Sequence, residues 1–290
     1  MDEVLLERRP KLRAPILICA FRGWNDAAQS ASTALEFIAD QWDAERFGAI
    51  DADPFLDFQV TRPTVRLRDG RTREIEWPEF TLSAARVHGT ERDAVLLLGA
   101  EPNLRWRTFS QTVVELAREL GVEIVVSLGA LLADVPHTRA VRITGIAGDQ
   151  RLVERLGFSQ VRYEGPTGIV GVLHDACNRA GLPCASLWAP VPHYVAAVPN
   201  PKGALALVRA LEGLLEVALD ASDLEEASAD YERRLDEGVA ADPEVRSMVE
   251  RLEQQIDEEE EEPPFPDVPS GDSIAREFQR FLRQRGQEEG

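Results

Sequence analysis

Polar residues that could carry chemistry follow three apolar segments, each of which has the composition of a β-strand. In an open parallel sheet, ligands bind outside the carboxyl ends of the strands, so side chains that follow different strands can converge on one cleft. A mixture of carboxylate, imidazole and guanidinium groups suits a polar small molecule, with Asp134 or His137 as the proton carrier. The candidate cleft residues are Asn25, Asp26, Glu101, Arg105, Asp134, His137 and Arg139.

Each of these residues also has a purely structural interpretation. Asp26 is well placed to cap the N-terminus of the helix that follows it. Asp134 and Thr138 suit a turn that contains proline, and Arg139 could form an ion pair with any nearby acid. The sequence therefore leaves two interpretations of these residues open, a ligand-binding cleft and a set of structural contacts.

A glycine-rich turn provides a second candidate site. The segment YEGPTGIVGVL places Gly165, Thr167 and Gly168 at the start of a predicted helix. The free backbone N–H groups of a helix N-terminus can bind an anion. Glycines that simply permit a tight turn explain the same pattern.

The familiar catalytic and metal-binding motifs do not occur in the chain. There is no phosphate-binding GxxxxGK[ST] loop, no HExxH, no GxSxG and no GxGxxG after a predicted strand. The four histidines have no ligand spacing, and the three cysteines form no CxxC pair, which argues against zinc and against a disulfide framework. We therefore predict no metal site and no cofactor, and we expect the thiols to be reduced.

The elements that position the candidate residues alternate between strand and helix. Residues 15–21 and 94–100 are apolar and rich in β-formers, and each is followed by a polar turn and a helical pattern. Such alternation predicts an α/β fold in which a mostly parallel sheet is flanked by helices. The predicted strands are 15–21, 94–100, 123–128, 141–146 and 184–189, and the predicted helices include 27–41, 108–120 and 201–219.

One segment departs from this alternation. Residues Thr64 to Trp77 alternate apolar and charged side chains around Asp69-Gly70, which predicts an inserted antiparallel hairpin. Its arginine-rich polar face is typical of a solvent-exposed surface.

The net charge of −19 is concentrated at one end of the chain. Residues 221–290 hold 22 Asp and Glu against 8 Arg, a balance of −14, which leaves −5 for residues 1–220. An acidic appendage repels phosphate backbones and anionic lipid surfaces, so nucleic acid and membrane are not expected partners. No apolar stretch approaches a membrane span and the N-terminus lacks a signal pattern, so we predict a cytoplasmic protein.

We divide the chain into an α/β domain, residues 1–220, and an acidic helical tail, residues 221–290. The tail begins with helical segments, and the one from Pro243 to Ile256 has a narrow apolar stripe that must pack against something. A linker rich in Glu and Pro follows at 257–270. A last short helix is expected to dock on folded protein through Ile274, Phe278, Phe281 and Leu282, in a homo-oligomer. The sequence leaves open whether it docks on its own body or on a neighbouring subunit.

Five segments in order resemble the PAC2 family, named for proteasome assembly chaperone 2, and specifically its actinobacterial branch. They are FRGWNDA, LGAEPNLRWRTF, LGALLADVPHTR, YEGPTGIVGVL and WAPVPHYV, and the resemblance spans about residues 14–220. It implies a fold similar to the phosphorylase/hydrolase-like nucleoside phosphorylases, a tendency to self-associate, and a role in assembling proteasome rings in eukaryotic and archaeal relatives. No nucleoside phosphorylase motif is matched, and the terminal Glu288-Glu289-Gly290 departs from the hydrophobic-Tyr-X ending of proteasome-binding relatives.

Two classes of function therefore stay open. The first is a non-catalytic PAC2-type assembly or interaction protein, with proteasome subunits or another cytosolic assembly as its partner. The alternative is an enzyme that binds a nucleoside-like or phosphate-like small molecule in the cleft at the strand ends.

Overall fold

The computed structural model describes residues 3–147 and 164–261, which are built around an eight-stranded sheet with the strand order β1-β3-β6-β7-β2-β8-β10-β9. The strands of this sheet are β1 Val4–Leu6, β2 Ile16–Arg22, β3 Glu45–Ile50, β6 Phe80–Arg86, β7 Asp93–Ala100, β8 Ile124–Ala133, β9 Thr144–Ala147 and β10 Cys184–Pro192. The α/β fold that the sequence predicts is confirmed.

The centre of the sheet is parallel and its two sides are antiparallel. Strands β7, β2, β8 and β10 run in one direction, whereas β6, β3 and β1 extend one side and β9 the other in antiparallel register. The strand expected at 141–146 is thus β9, which begins at Thr144 and is antiparallel to β10. The β2 segment ILICAF is buried at every position, as expected for a central strand that is covered on both faces.

Helices cover both faces of the sheet. Helices α2 Trp106–Glu119 and α3 Ile169–Arg179 lie on one face, where Phe109, Val113 and Leu173 are buried. The other face is covered by α1 Ser30–Gln41 and α4 Pro201–Leu215, with Leu35 and Leu207 in the core. Both faces of the central strands are therefore buried under helices.

The predicted hairpin is present as a separate two-stranded sheet, β4 Thr64–Arg68 and β5 Thr72–Glu76. Thr64 pairs with Glu76 and Val65 with Ile75. The polar face holds the ion pairs Arg66–Glu76 and Arg68–Glu74. The opposite face is also exposed, and Val65 keeps 57% of its surface accessible.

The first two helices of the tail pack on the body of their own chain. They are α5 Ser222–Ala241 and α6 Pro243–Glu261, and they bury Leu224, Tyr231, Val249 and Leu252. Asp242 caps α6, since its Oδ1 accepts the Glu244 N–H at 2.9 Å. Helix α6 continues into the predicted linker 257–270, and the predicted last helix at 274–282 lies outside the described residues.

None of the described helices combines the length and the apolar composition that crossing a membrane requires.

Candidate functional site

Two of the predicted cleft residues meet at the carboxyl ends of β2 and β7. Asn25 Nδ2 donates a 2.6 Å hydrogen bond to Glu101 Oε1, and the Ile169 N–H donates to the same oxygen at 2.9 Å. Asn25 also binds strand β8, because its backbone carbonyl oxygen accepts the Ala130 N–H at 2.8 Å. One carboxylate therefore links the turn after β2, the end of β7 and the N-terminus of α3.

The hydrogen bonds of Glu101 to Asn25 and Ile169 lie next to the predicted anion-binding turn. Gly165 and Thr167 are exposed, whereas Gly168 is buried directly against Asn25. A Cβ at position 168 would lie 2.3 Å from Asn25 Oδ1, so a larger residue would force the Asn25 side chain to move. The first N–H of α3 has an internal partner in Glu101, and anion binding by this turn stays a prediction.

Asp26 takes the structural role that the sequence allows as an alternative. Its Oδ1 accepts the N–H groups of Ala31 and Ser32 at 2.8 and 3.1 Å, and Oδ2 accepts the Ser32 hydroxyl at 2.6 Å. Burial raises the pKa of Asp26, while these hydrogen bonds oppose the rise. The carboxyl group is directed at the first turn of α1 and satisfies its free N–H groups.

His137 is buried between the body and the tail. The Tyr194 hydroxyl accepts the backbone N–H of His137 at 2.8 Å and lies 2.7 Å from Nδ1 of its ring. On the other side of the ring, Nε2 is 3.1 Å from Asp236 Oδ1 of α5. With 3% of its surface exposed, the imidazole has no open side for a substrate.

Charged contacts join the rest of this loop to the tail helices. Arg139 donates from Nε and Nη2 to the two carboxylate oxygens of Asp257, at 2.8 and 2.7 Å, and its Nη1 reaches Glu253 at 3.3 Å. These hydrogen bonds hold the pKa of Asp257 below its ordinary value. Lys202 donates to the carbonyl oxygens of His137 and Arg139 and also binds Glu232 of α5.

The last two predicted cleft residues have different surroundings. Asp134 is exposed and its Oδ1 lies 3.2 Å from His193 Nδ1. Arg105 has a positive φ of 53° at the residue before α2, and its guanidinium lies 5.9 Å from the centre of the Phe55 ring. Of the seven residues expected in one cleft, the structure joins Asn25 to Glu101 and gives the others separate partners.

Apolar side chains are exposed at the same edge of the sheet. We use the name apolar rim for five residues that lie at or after the carboxyl ends of the four parallel strands. Trp24 follows β2 and is 64% exposed, and Leu132 near the end of β8 is 51% exposed. The rim consists of Trp24, Leu104, Leu131, Leu132 and Val198.

A small cavity lies where the tail covers the body. It measures about 50 Å³, and its lining includes Pro190, Lys202, Tyr231 and Ile256. The Tyr231 hydroxyl is buried and has no hydrogen-bond partner among the described residues. Burial raises the pKa of this hydroxyl to about 12. The cavity has room for a few water molecules at most.

Metal ligands do not cluster in the part of the chain that the structure describes, since no three His, Cys, Asp or Glu residues there are arranged to hold an ion. All three cysteines are buried, and burial raises the pKa of Cys19 to about 12. Cys19 is therefore a poor nucleophile at neutral pH.

The model of the PAC2 family matches residues 20–239, which is most of the chain. The chain belongs to the PAC2 family. A PAC2 family protein from Streptomyces avermitilis is 47% identical, with a TM-score of 0.74 over 81% of this chain and 99% of that one. A proteasome-assembly chaperone homologue from Mycobacterium tuberculosis is 44% identical, with a TM-score of 0.75 and the same shares covered.

A third similar structure covers a larger share of the chain. A protein of unknown function from Corynebacterium glutamicum is 27% identical, with a TM-score of 0.81, and covers 89% of this chain and 97% of that one. No curated protein matches the chain. The family and the fold of this PAC2 protein are thus shown.

Sequence reasoning did not identify the apolar rim or the contacts to the tail. The segments that resemble PAC2 proteins contain Trp24, Leu131, Leu132 and Tyr194. A search for polar ligand-binding residues at strand ends does not select them. The available signal was an apolar residue in a polar turn, as in RGWND. The tail contacts of Asp236 and Asp257 had no local signal, because they join residues about a hundred positions apart.

Proposed function

We propose that this PAC2 protein is a non-catalytic assembly protein that binds another protein complex through its apolar rim. One observation carries the proposal. At the edge of the sheet where enzymes of related architecture bind ligands, the polar side chains contact the protein itself and apolar side chains face the solvent.

The apolar rim has the composition of a binding surface. Large apolar groups that are exposed along one edge of a fold are typical of protein interaction sites. Burying one such side chain contributes about 1.5–3 kcal/mol, and tryptophan is among the residues most often found at the centre of interfaces. Trp24 and Leu132 are therefore the expected anchors of the contact.

The proposed partner is a proteasome subunit. The support is the 44% identical relative that is described as a proteasome-assembly chaperone homologue. Such a partner also agrees with the cytoplasmic location that the sequence predicts. We propose that the α-subunits, or their assembling ring, bind this protein.

Purified proteasome α-subunits from the same organism provide the test. Assembly of the subunits is followed by native mass spectrometry, with and without the full-length protein. We expect a complex that contains this protein and a changed rate of ring formation. If no complex forms and the rate is the same within error, the proposed partner is wrong.

Self-association stays a prediction. The resemblance to PAC2 proteins implies it, and a homo-oligomer would present several copies of the rim to one partner ring. Light scattering of the full-length protein over a range of concentrations measures the mass directly. A mass equal to that of one chain at every concentration would contradict the prediction.

One observation favours the second candidate function, small-molecule binding. Asn25 Oδ1 is buried and has no hydrogen-bond partner among the described residues, and it lies beside the N-terminus of α3. A ligand with a hydrogen-bond donor could satisfy it. Thermal denaturation with adenosine and with inorganic phosphate tests this, since a ligand at 100 times its Kd stabilises the protein by about 2.7 kcal/mol. An unchanged denaturation temperature with both probes would leave small-molecule binding without support.

A further inference from the structure

The apolar rim is close to the point where the described tail ends. Pro190 of β10 pairs with Leu131 and Val191 pairs with Leu132, so β10 adjoins the rim. Ile256 of α6 lines the same small cavity as Pro190, and Asp257 binds Arg139 in the loop after β8. Neighbouring strands are about 4.8 Å apart, so Ile256 lies within a few strand spacings of Leu132, and α6 ends five residues later, at Glu261.

The sequence that follows is long enough to reach the rim. Helix α6 ends at Glu261, and residues 262–273 precede the segment with the next apolar pattern. A stretch of that length spans up to about 40 Å at 3.3–3.6 Å per residue. Because this distance exceeds a few strand spacings, reach does not restrict where the segment binds.

The composition of this segment is complementary to the rim. We use the name terminal segment for residues 274–285, IAREFQRFLRQR. Ile274, Phe278, Phe281 and Leu282 are spaced as the anchors of a helix that lies in an apolar groove. The segment also carries four arginines against one glutamate, and Asp134, whose side chain is 85% exposed, lies two residues beyond Leu132.

We propose that the terminal segment binds the apolar rim of its own molecule. The phenylalanines cover Leu132 of β8, and the arginines lie near Asp134, two residues further along the chain. The binding itself does not depend on any partner.

Cysteine crosslinking in the full-length protein tests the contact. The three native cysteines are buried, so two introduced thiols should react with each other under mild oxidation. We expect Leu132→Cys combined with Phe278→Cys to give a crosslinked monomer on a non-reducing gel. The matched control is Val65→Cys combined with Phe278→Cys, because Val65 on the hairpin is 57% exposed and is not part of the rim.

Each outcome decides the proposal. A crosslinked monomer formed with Leu132→Cys at least several times more than with Val65→Cys supports it. A crosslinked dimer would overturn the proposal, because the segment would then bind a second copy. Equal reaction of both pairs, or of neither pair, would also overturn it, because the segment would then not bind the rim.

A second measurement in the same protein does not need introduced thiols. Hydrogen exchange of the Leu131 and Leu132 amides should be faster in the Phe281→Asp variant than in the unmodified chain, whereas exchange in β2 should be unchanged. Equal exchange at Leu131 and Leu132 in the two proteins contradicts the contact. If crosslinking succeeds while α-subunits do not bind, the proposed function fails and this inference stands.

Discussion

Glu101 and Asn25 are joined by a 2.6 Å hydrogen bond between the turns that follow β7 and β2. The same Glu101 oxygen accepts the first N–H of α3 at 2.9 Å. A side chain that the sequence predicts in a ligand cleft therefore holds three elements of the fold together.

Replacing Glu101 by Ala should lower the free energy of unfolding by about 2–3 kcal/mol, because hydrogen bonds to a charged group are lost and the buried Asn25 amide is left without its acceptor. Chemical denaturation measures the change. Glu91→Ala is the control, since its carboxylate is exposed and forms a surface ion pair with Arg13, and it should change stability by less than about 0.5 kcal/mol. Equal effects of the two substitutions would show that Glu101 has no special structural role.

Gly168 permits the close approach of α3 to Asn25. In Gly168→Ala the new methyl group would lie 2.3 Å from Asn25 Oδ1, and we expect a loss of about 1–3 kcal/mol in the free energy of unfolding. Gly213→Ala in α4 is the matched control. No atom lies within 4 Å of its added methyl group, and helix propensity predicts a gain of about 0.5–1 kcal/mol. Equal stability of Gly168→Ala and the unmodified chain would contradict the described approach.

Tyr231 in the tail and Tyr194 in the body should respond in opposite directions to loss of the hydroxyl. Tyr231→Phe removes a buried hydroxyl without a partner in the described structure, and should raise the free energy of unfolding by about 1 kcal/mol. Tyr194→Phe removes the contacts to the backbone N–H and the ring of His137, and should lower it by about 1–2 kcal/mol. Thermal and urea denaturation of the two variants side by side make the comparison. A loss of stability in Tyr231→Phe would mean that its hydroxyl has a partner.

The sequence predicted the fold better than the site. Apolar runs and their turn residues indicated the central parallel strands and the hairpin, because local periodicity reports which faces are buried. Strand ends indicate where a cleft can form, but they do not determine where a side chain points. His137 and Arg139 contact Asp236 and Asp257, and only tertiary packing brings residues so distant in sequence together.

The ion pair between Arg139 and Asp257 should make attachment of the tail depend on pH. Hydrogen bonds from Arg139 lower the pKa of Asp257, so its contribution is fully present above the ordinary carboxyl pKa of about 4 and is lost as pH falls through the lower folded-state value. Asp257→Asn should therefore be less stable than the unmodified chain at pH 7, and the difference should shrink in strong acid. Urea denaturation from pH 7 to pH 2 measures it. A difference that is the same at every pH would contradict this account.

The most direct test of the central claim is the affinity of the full-length protein for proteasome α-subunits, compared between two matched substitutions. Isothermal titration calorimetry is performed with Leu132→Glu on the apolar rim and with Val65→Glu on the hairpin, two apolar positions of similar exposure. Binding through the rim predicts that Leu132→Glu raises the Kd at least about tenfold, equivalent to 1.4 kcal/mol, and that Val65→Glu leaves it unchanged. An unchanged Kd for Leu132→Glu would contradict the claim that the rim binds the partner.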